Sequence, residues 1–425
     1  MAGLDARGAA ARLLLGVTEG RAALSDQMAA DWFRALPPAE RARAQRLVLA
    51  ALRNLSRADA VLKPLLRKAP PPEVLAVLRL AAVEMLALGG AAHGVVHDAV
   101  RAVRGGGRRT ETLAGLTNAV LRRVAETPAD AWAALPPPPM APWLRRRLSE
   151  AWGKPAVQAM EAVQALTPPI DLTPKDGDAV RLAAAVGGTV LPTGSVRLQP
   201  GAQLSDLPGY AEGDWWVQDA AAAMAAKVLA PRPGERILDL CAAPGGKTLQ
   251  LAAVGARVTA LDVSQSRMAR VAENLGRCGL SAETVVADAL DYDAPPFDAV
   301  LLDAPCTATG TLRRHPELPL IRDGQGIAAI AGTQARMIDR AVALTRPGGR
   351  IVYCTCSLLP EEGEAQLGAA LGRHPGLTVD SDALRLPGIE PGWIGPDGSL
   401  RLRPDYWADR GGMDGFFIAA LRKAA

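Results

Sequence analysis

The residues best placed for covalent chemistry in this 425-residue chain are its five cysteines, Cys241, Cys278, Cys306, Cys354 and Cys356, all in the C-terminal half. Two short apolar runs, FDAVLLDAPC and RIVYCTC, deliver Cys306 and Cys356 to strand ends. In an open parallel sheet, side chains at strand carboxyl ends face the ligand crevice. A soft, partly ionised sulfur placed there can add to an electrophilic carbon. Carbon 5 of a pyrimidine is a poor nucleophile, but thiolate addition at carbon 6 turns the ring into an enamine able to attack a sulfonium methyl. Asp303, at the head of DAPCTATG, is the candidate to contact the ring N3 and exocyclic amine and so offset the developing charge. A lone cysteine is more commonly a small buried hydrophobe, but two strand-end cysteines facing a glycine-rich loop favour chemistry. Spacing alone does not choose between Cys354 and Cys356, which point to the same face of a strand.

The glycine-rich loop is CAAPGGKT at 241–248, directly after the apolar run ERILDL. Gly245 and Gly246 permit close backbone approach to a ligand, and the helix that follows offers free amide donors. GGKT also suggests a phosphate-binding loop, but that motif needs a glycine five residues before Gly246, where Cys241 stands. Asp262 closes the second apolar run, where an acid in this fold can accept both ribose hydroxyls. Asp288 closes the third, where an adenine edge would lie. Singly, each is a solvated strand-end carboxylate; in register after a glycine-rich loop, they suggest a nucleoside-bearing cofactor.

These residues need a scaffold, and the alternation of ERILDL, RVTALD, ETVVAD, FDAVLLD and RIVYCTC with helical stretches predicts a doubly wound parallel sheet from residue 231. The first 130 residues contain no strand-like alternation. Ala44, Leu47, Val48, Ala51, Leu52 and Leu55 form a helical stripe, as do segments 74–88 and 113–124, so a helical bundle is expected. LPPPPMAP at 135–142 interrupts helical patterning. The expected division is therefore a helical domain over 1–133, a Pro-rich linker over 134–142, a mixed subdomain over 143–230 and an α/β domain over 231–425.

A chain that is 49% hydrophobic can bury a core, and its length suits two or three domains. Residues 1–150 hold 22 Lys and Arg against 13 Asp and Glu, whereas the remainder holds 26 against 31, so a basic half adjoins an acidic one. That asymmetry suggests a polyanion-binding module. Arg101, Arg104, Arg108, Arg109, Arg122 and Arg123 are candidate phosphate contacts, with a solvated helix face as the plain alternative. The odd cysteine number without CxxC argues for reduced thiols. No secretion signal is evident, and Arg79 and Glu84 interrupt the longest apolar stretch, so a cytoplasmic protein without membrane spans is expected. His93 and His97 share a helix face but lack a third ligand, and no metal is expected.

Together ILDLCAAPGGKT, DAPCTATG, RRHPE, TCSLLPEE and MDGFF resemble the Sun/Fmu family of ribosomal RNA cytosine-5 methyltransferases, over residues from about 215 onward. LRLAAVEMLALG and AGLTNAVLRRV are similar to a NusB-type RNA-binding domain. The resemblance implies a multidomain chain: an all-α NusB-like bundle, a small α+β RNA-contacting subdomain and a C-terminal α/β Rossmann-like methyltransferase. It also implies S-adenosylmethionine as cofactor, held by Cys241, Ala242, Ala243, Pro244, Gly245, Gly246, Lys247, Asp262, Arg267, Asp288 and Asp303. Cys356 would be the nucleophile and Cys306 the residue that assists product release, with RNA the partner of a monomer needing no obligate protein partner. The alternatives are a transfer-RNA enzyme of the same chemistry, or an inert RNA-binding or transcription-regulating module. This sequence departs from the family at three places: Thr307-Ala308 replaces Ser-Gly, which bears on loop flexibility; Cys354 replaces alanine; and PPIDLTPK lacks an expected RNA-contacting arginine.

Overall fold

The computed structural model describes residues 5–425. Two units separate, Met1–Thr167 with Leu312–Gly324, and Pro168–Thr311 with Gln325–Ala425.

The first unit is helical. Its long helices span Ala6–Thr18, Pro38–Arg53, Pro72–Leu86, Ala92–Gly105 and Ala114–Ala125. Asp5 caps the first by accepting from the Gly8 amide at 2.8 Å, satisfying one of the donors that a helix start leaves free. Proline opens the second and third, where its missing N–H costs nothing. The stripe of Ala44, Leu47, Val48, Ala51 and Leu52 is buried as its period requires, but the helix stops at Arg53, and half-buried Leu55 begins a new one, Leu55–Leu62.

The proline run at 135–142 does not end this unit. Arg57 donates to the carbonyls of Pro136 and Leu135 at 3.1 and 3.0 Å, and the Met140 amide donates to Glu161 at 2.9 Å. Helices Pro142–Trp152 and Lys154–Gln164, hinged at Gly153 with φ of 81°, bury Leu144, Leu148, Val157 and Met160. The division therefore falls at Thr167, inside the stretch 143–230 expected to form one subdomain. A chain break in helical patterning is not a break in packing when side chains reach back to its carbonyls.

The second unit holds two sheets. A four-stranded antiparallel sheet comprises β1 (Ile170–Pro174), β2 (Thr189–Val190), β3 (Val196–Leu198) and β4 (Trp215–Val217), in the order β2-β3-β1-β4. The main sheet comprises β5 (Arg236–Leu240), β6 (Arg257–Asp262), β7 (Glu283–Val286), β8 (Phe297–Asp303), β9 (Thr345–Thr355), β10 (Leu377–Val379), β11 (Leu400–Leu402) and β12 (Phe416–Lys423). Its order is β10-β12-β9-β8-β5-β6-β7, with β11 also on β12. Strands β5 to β9 are parallel as expected, whereas β10, β11 and β12 are antiparallel additions, so the sheet is mixed. The chain winds outward from β5 through β6 and β7, then returns to β8 on the other side of β5. That reversal opens the switch-point crevice in which such sheets bind ligands.

The small sheet is tied to the rest of its unit by a buried ion pair. Arg197 meets Asp171 through two 2.7 Å contacts and donates also to the carbonyls of Arg410 and Gly412 at 2.9 and 2.8 Å. Asp171 also accepts from the Ala220 amide at 3.0 Å. Removing one partner leaves the other charge buried and uncompensated. Asp171→Ala is expected to cost about 3–5 kcal/mol, measured as a lowered urea midpoint of the full chain.

Candidate active site

Strand β5 ends against the loop at 241–248, whose backbone is unusual. Cys241 has φ of 62° and Gly245 φ of 103°, the latter a conformation that glycine adopts at little cost. A Cβ on Gly245 would meet Val271 at 3.3 Å, so the loop lies tight on the neighbouring helix, Gln265–Cys278. The helix Gly246–Ala253 begins here and presents its first amides. Asp239, wholly buried in β5, accepts from Thr248 Oγ1 at 2.6 Å and pins that helix to the strand. Ala242 and Ala243 are buried, and the Pro244 carbonyl accepts from Asn274 at 3.3 Å.

At the end of β6, Asp262 accepts from the Ser264 amide at 2.9 Å and the Ala243 amide at 3.3 Å, with Arg267 Nη1 at 3.4 Å. Arg267 also donates to the Ala243 carbonyl. Asp288 stands two residues past β7, exposed, accepting from the Leu290 amide at 2.9 Å. At the end of β8, Asp303 Oδ2 meets Lys247 Nζ at 2.7 Å, while its Oδ1 lies 3.6 Å from Cys354 Sγ. The structure thus gathers Lys247 and Asp303, and separately Asp262, Arg267 and Ala243, around the loop at 241–248.

The thiols fall into distinct environments. Cys306 Sγ and Cys356 Sγ are 3.4 Å apart, both half-buried. Cys354 is fully buried beside Asp303. Burial, reinforced by Asp303, pushes the Cys354 thiol well up, and burial with the same acid does so for Cys241. Cys306 is also pushed well up, by its hydrogen bond with Cys356 and by burial, so it keeps its proton. Burial disfavours the Lys247 ammonium, but Asp303, with Cys354 and Asp239, outweighs it and raises the group. Cys278 is buried at the end of its helix, away from this cluster.

One residue that the sequence left without a role organises the cysteine loops. Glu362 is fully buried and accepts from the Thr307 amide at 2.8 Å, Thr307 Oγ1 at 2.5 Å, Ser357 Oγ at 2.5 Å and Gln334 at 3.2 Å. Its own carbonyl accepts from Tyr353 at 2.8 Å and Thr355 at 3.2 Å. The loops are further joined by Thr309 and Ser357 hydroxyls at 3.1 Å and by the Gly310 amide on the Cys356 carbonyl at 2.9 Å. SLLPEE contains the signal, but nothing in its spacing says which glutamate turns inward. The Thr307 hydroxyl makes this network, while Ala308 holds φ of 55°, a conformation that glycine adopts at little cost.

Among the six candidate arginines of the first unit, Arg101 pairs with Asp5 and Asp98, and Arg109 with Glu73. Arg104, Arg108, Arg122 and Arg123 are exposed. His93 and His97 are exposed on the helix Ala92–Gly105. Among the described residues, no helix is long and apolar enough to cross a membrane, and no cluster of three or more possible metal ligands occurs.

A mixed, mainly parallel sheet with a glycine-rich loop after β5 and acids at successive strand ends is the arrangement of the Rossmann-like methyltransferases, here preceded by a helical domain. Residues 226–422 match the family model described as 16S rRNA methyltransferase RsmB/F, and residues 4–126 that of the NusB family. The chain is 35% identical to ribosomal RNA small subunit methyltransferase B of Xanthomonas campestris, over 100% of this chain and 98% of that one. It is 33% identical to the Pseudomonas putida protein of the same name, over 99% of each. A solved methyltransferase homologue from Pyrococcus horikoshii superposes with a TM-score of 0.55 at 26% identity, over 65% of this chain and 93% of that one. The chain belongs to the RsmB/F methyltransferase family, and it is an S-adenosylmethionine-dependent methyltransferase.

Two outcomes follow from the site's local chemistry. Burial pushes Asp239 up to about 7, with Thr248 and Lys247 acting against the shift. A carboxyl raised in the folded state contributes stability at low pH that is lost as pH climbs from its unfolded value, about 3.9, through 7. Asp239→Asn, which keeps an oxygen to accept from Thr248, is expected to gain stability relative to wild type across that window and hold the difference above it, in urea unfolding at stepped pH. Ala308→Gly removes a left-handed strain of about 1–2 kcal/mol at some cost in chain entropy, and a net gain of up to about 1 kcal/mol is expected in the same assay.

Proposed function

We propose that the chain methylates carbon 5 of a cytosine in small-subunit ribosomal RNA, with Cys356 as the covalent nucleophile. The observation that carries this reading is the pair of sulfurs 3.4 Å apart at the carboxyl ends of β8 and β9, beside Asp303. The names of the full-length relatives favour small-subunit ribosomal RNA over transfer RNA as the substrate.

The residues around the β5 loop suit S-adenosylmethionine. Asp262 retains acceptor capacity for ribose hydroxyls, Asp288 stands open for the adenine edge, and the amides opening Gly246–Ala253 suit a carboxylate. Cys241, Ala242, Ala243, Pro244, Gly245 and Gly246 form the close-lying backbone, with Lys247, Arg267 and Asp303 as the charged groups. The cofactor supplies an electrophilic methyl on a positively charged sulfur.

The chain's own residues do the rest. The Cys356 thiolate adds to carbon 6 of the base, and its electron pair becomes the new C–S bond while the ring pair moves to carbon 5 and N3. Asp303 accepts from the exocyclic amine and orients the base, and the Lys247 ammonium beside it offsets the negative charge that reaches N3. After methylation the carbon-5 proton passes to water, the C6–S bond breaks and its electrons return to Cys356. Cys306, still protonated, hydrogen-bonds the departing sulfur. The base must leave its stack to reach both sulfurs, so a loop or unfolded strand is the substrate. We place this activity in the cytoplasm and assign it to the monomer.

The test is transfer of labelled methyl to unmodified small-subunit ribosomal RNA and, in parallel, to unmodified transfer RNA, with the product nucleoside identified by mass spectrometry. 5-Methylcytidine in the ribosomal RNA alone is expected; product in transfer RNA alone would overturn the substrate. Cys356→Ala is expected to abolish turnover. Cys306→Ala is expected to accumulate an RNA–protein adduct that survives denaturing electrophoresis, and its absence would remove Cys306 from release.

A further inference from the structure

The segment Leu312–Gly324 carries the RRHPE motif and belongs to the helical unit although it is inserted between strands of the other. Within that unit it helps to wall a cavity of about 910 Å³, together with the end of the helix Pro38–Arg53, the proline run and the helix Pro142–Trp152. One wall is apolar, made by Leu52, Leu55, Met140, Pro316, Pro319 and Leu320. The charged groups facing the cavity are Arg53, Asp59, Arg145, Arg146, Glu150 and Lys154. Arg79 holds Asp59 at 2.7 Å and Glu161 holds Arg145 at 2.8 Å. Glu317 acts on Arg53 from beside the cavity, which leaves three cations, Arg53, Arg146 and Lys154, against Glu150 and Glu317 among the described residues.

Arg53 is the telling group. It is only 9% exposed, yet its one hydrogen bond among the described residues runs from Nε to the Arg313 carbonyl at 2.9 Å. Its two terminal nitrogens are without a partner, at the edge of a cavity. A guanidinium held by its Nε with its other donors at a cavity edge can take an anion without rearranging. Burial, then the nearby Arg314, lowers its pKa to about 10 although Glu317 acts against the shift, and a further anion would oppose it too.

We propose that this cavity is a nucleotide site for the RNA substrate, with a phosphodiester on Arg53, Arg146 and Lys154 and a base against the Leu and Pro wall. This deepens, and rests on, the reading of the chain as an RNA methyltransferase. The volume lies in the range of ordinary ligand sites, and an apolar wall beside fixed cations suits a single-stranded nucleotide better than inorganic phosphate.

The test measures binding of full-length protein to a fluorescent unmodified ribosomal RNA hairpin across a salt series, with methyl transfer to the same RNA. Arg53→Gln and the exposed pair Arg146→Glu with Lys154→Glu are compared with wild type; the exposed pair guards against misfolding of the buried variant. Each is expected to weaken binding about tenfold and to flatten the slope of log affinity against log salt by about 0.7 per lost phosphate contact. The KM for RNA should rise while kcat holds. A 4-thiouridine-bearing RNA should crosslink to Met140 or to segment 312–320, and competing inorganic phosphate should not displace it at millimolar concentration. Wild-type affinity and slope in both variants, with methylation intact, would overturn the cavity assignment alone. A wild-type protein that neither binds nor methylates the RNA would overturn the RNA reading and the cavity with it.

Discussion

A single buried carboxylate holds the two cysteine loops in register. Glu362 lies on the 3-10 turn Pro360–Glu362 after β9, yet it accepts from Thr307 on the loop after β8 as well as from Ser357 on its own loop. Four donors converge on its two oxygens, and one of them, Gln334, fixes both loops to the helix Ile327–Leu344. Sulfur positions are set by backbone positions here, because a cysteine side chain has one rotatable bond. Holding the loops is therefore equivalent to holding the 3.4 Å separation of the thiols. A buried acid so thoroughly bonded is stable only as a complete network, since each donor removed leaves charge unanswered in a low dielectric.

Much of this was legible in the residues. Alternating apolar runs located β5 to β9, and the glycine-rich loop, Asp262, Asp288 and Asp303 fell at or just beyond their carboxyl ends, because parallel strands place their termini on one edge. What stayed hidden depends on contacts distant in sequence. The antiparallel β12 reads as one more apolar run, and only its pairing of Ile418 with Cys354 shows where it enters. Cys354 and Cys356 share a strand face, so periodicity could not tell them apart; neighbours did, setting one against Asp303 and the other against Cys306.

The proline run shows a related effect. Proline stops helical hydrogen bonding along the chain, but its carbonyls remain good acceptors, and Arg57 and Glu161 show how side chains and amides can carry packing across such a run. Substitution at Thr307-Ala308 was similarly opaque. Threonine keeps the hydroxyl that Glu362 needs, whereas alanine accepts a backbone geometry that glycine would adopt without strain.

The hydrogen bond from Arg53 to the Arg313 carbonyl spans 260 residues. During synthesis the chain emerges from its N-terminus, so the helical unit must wait, missing its last wall, until Leu312–Gly324 has been made. Closing so long an interval carries an entropic cost that the local helix contacts do not. A protein cut after residue 167 would present to water the side chains that pack on that segment.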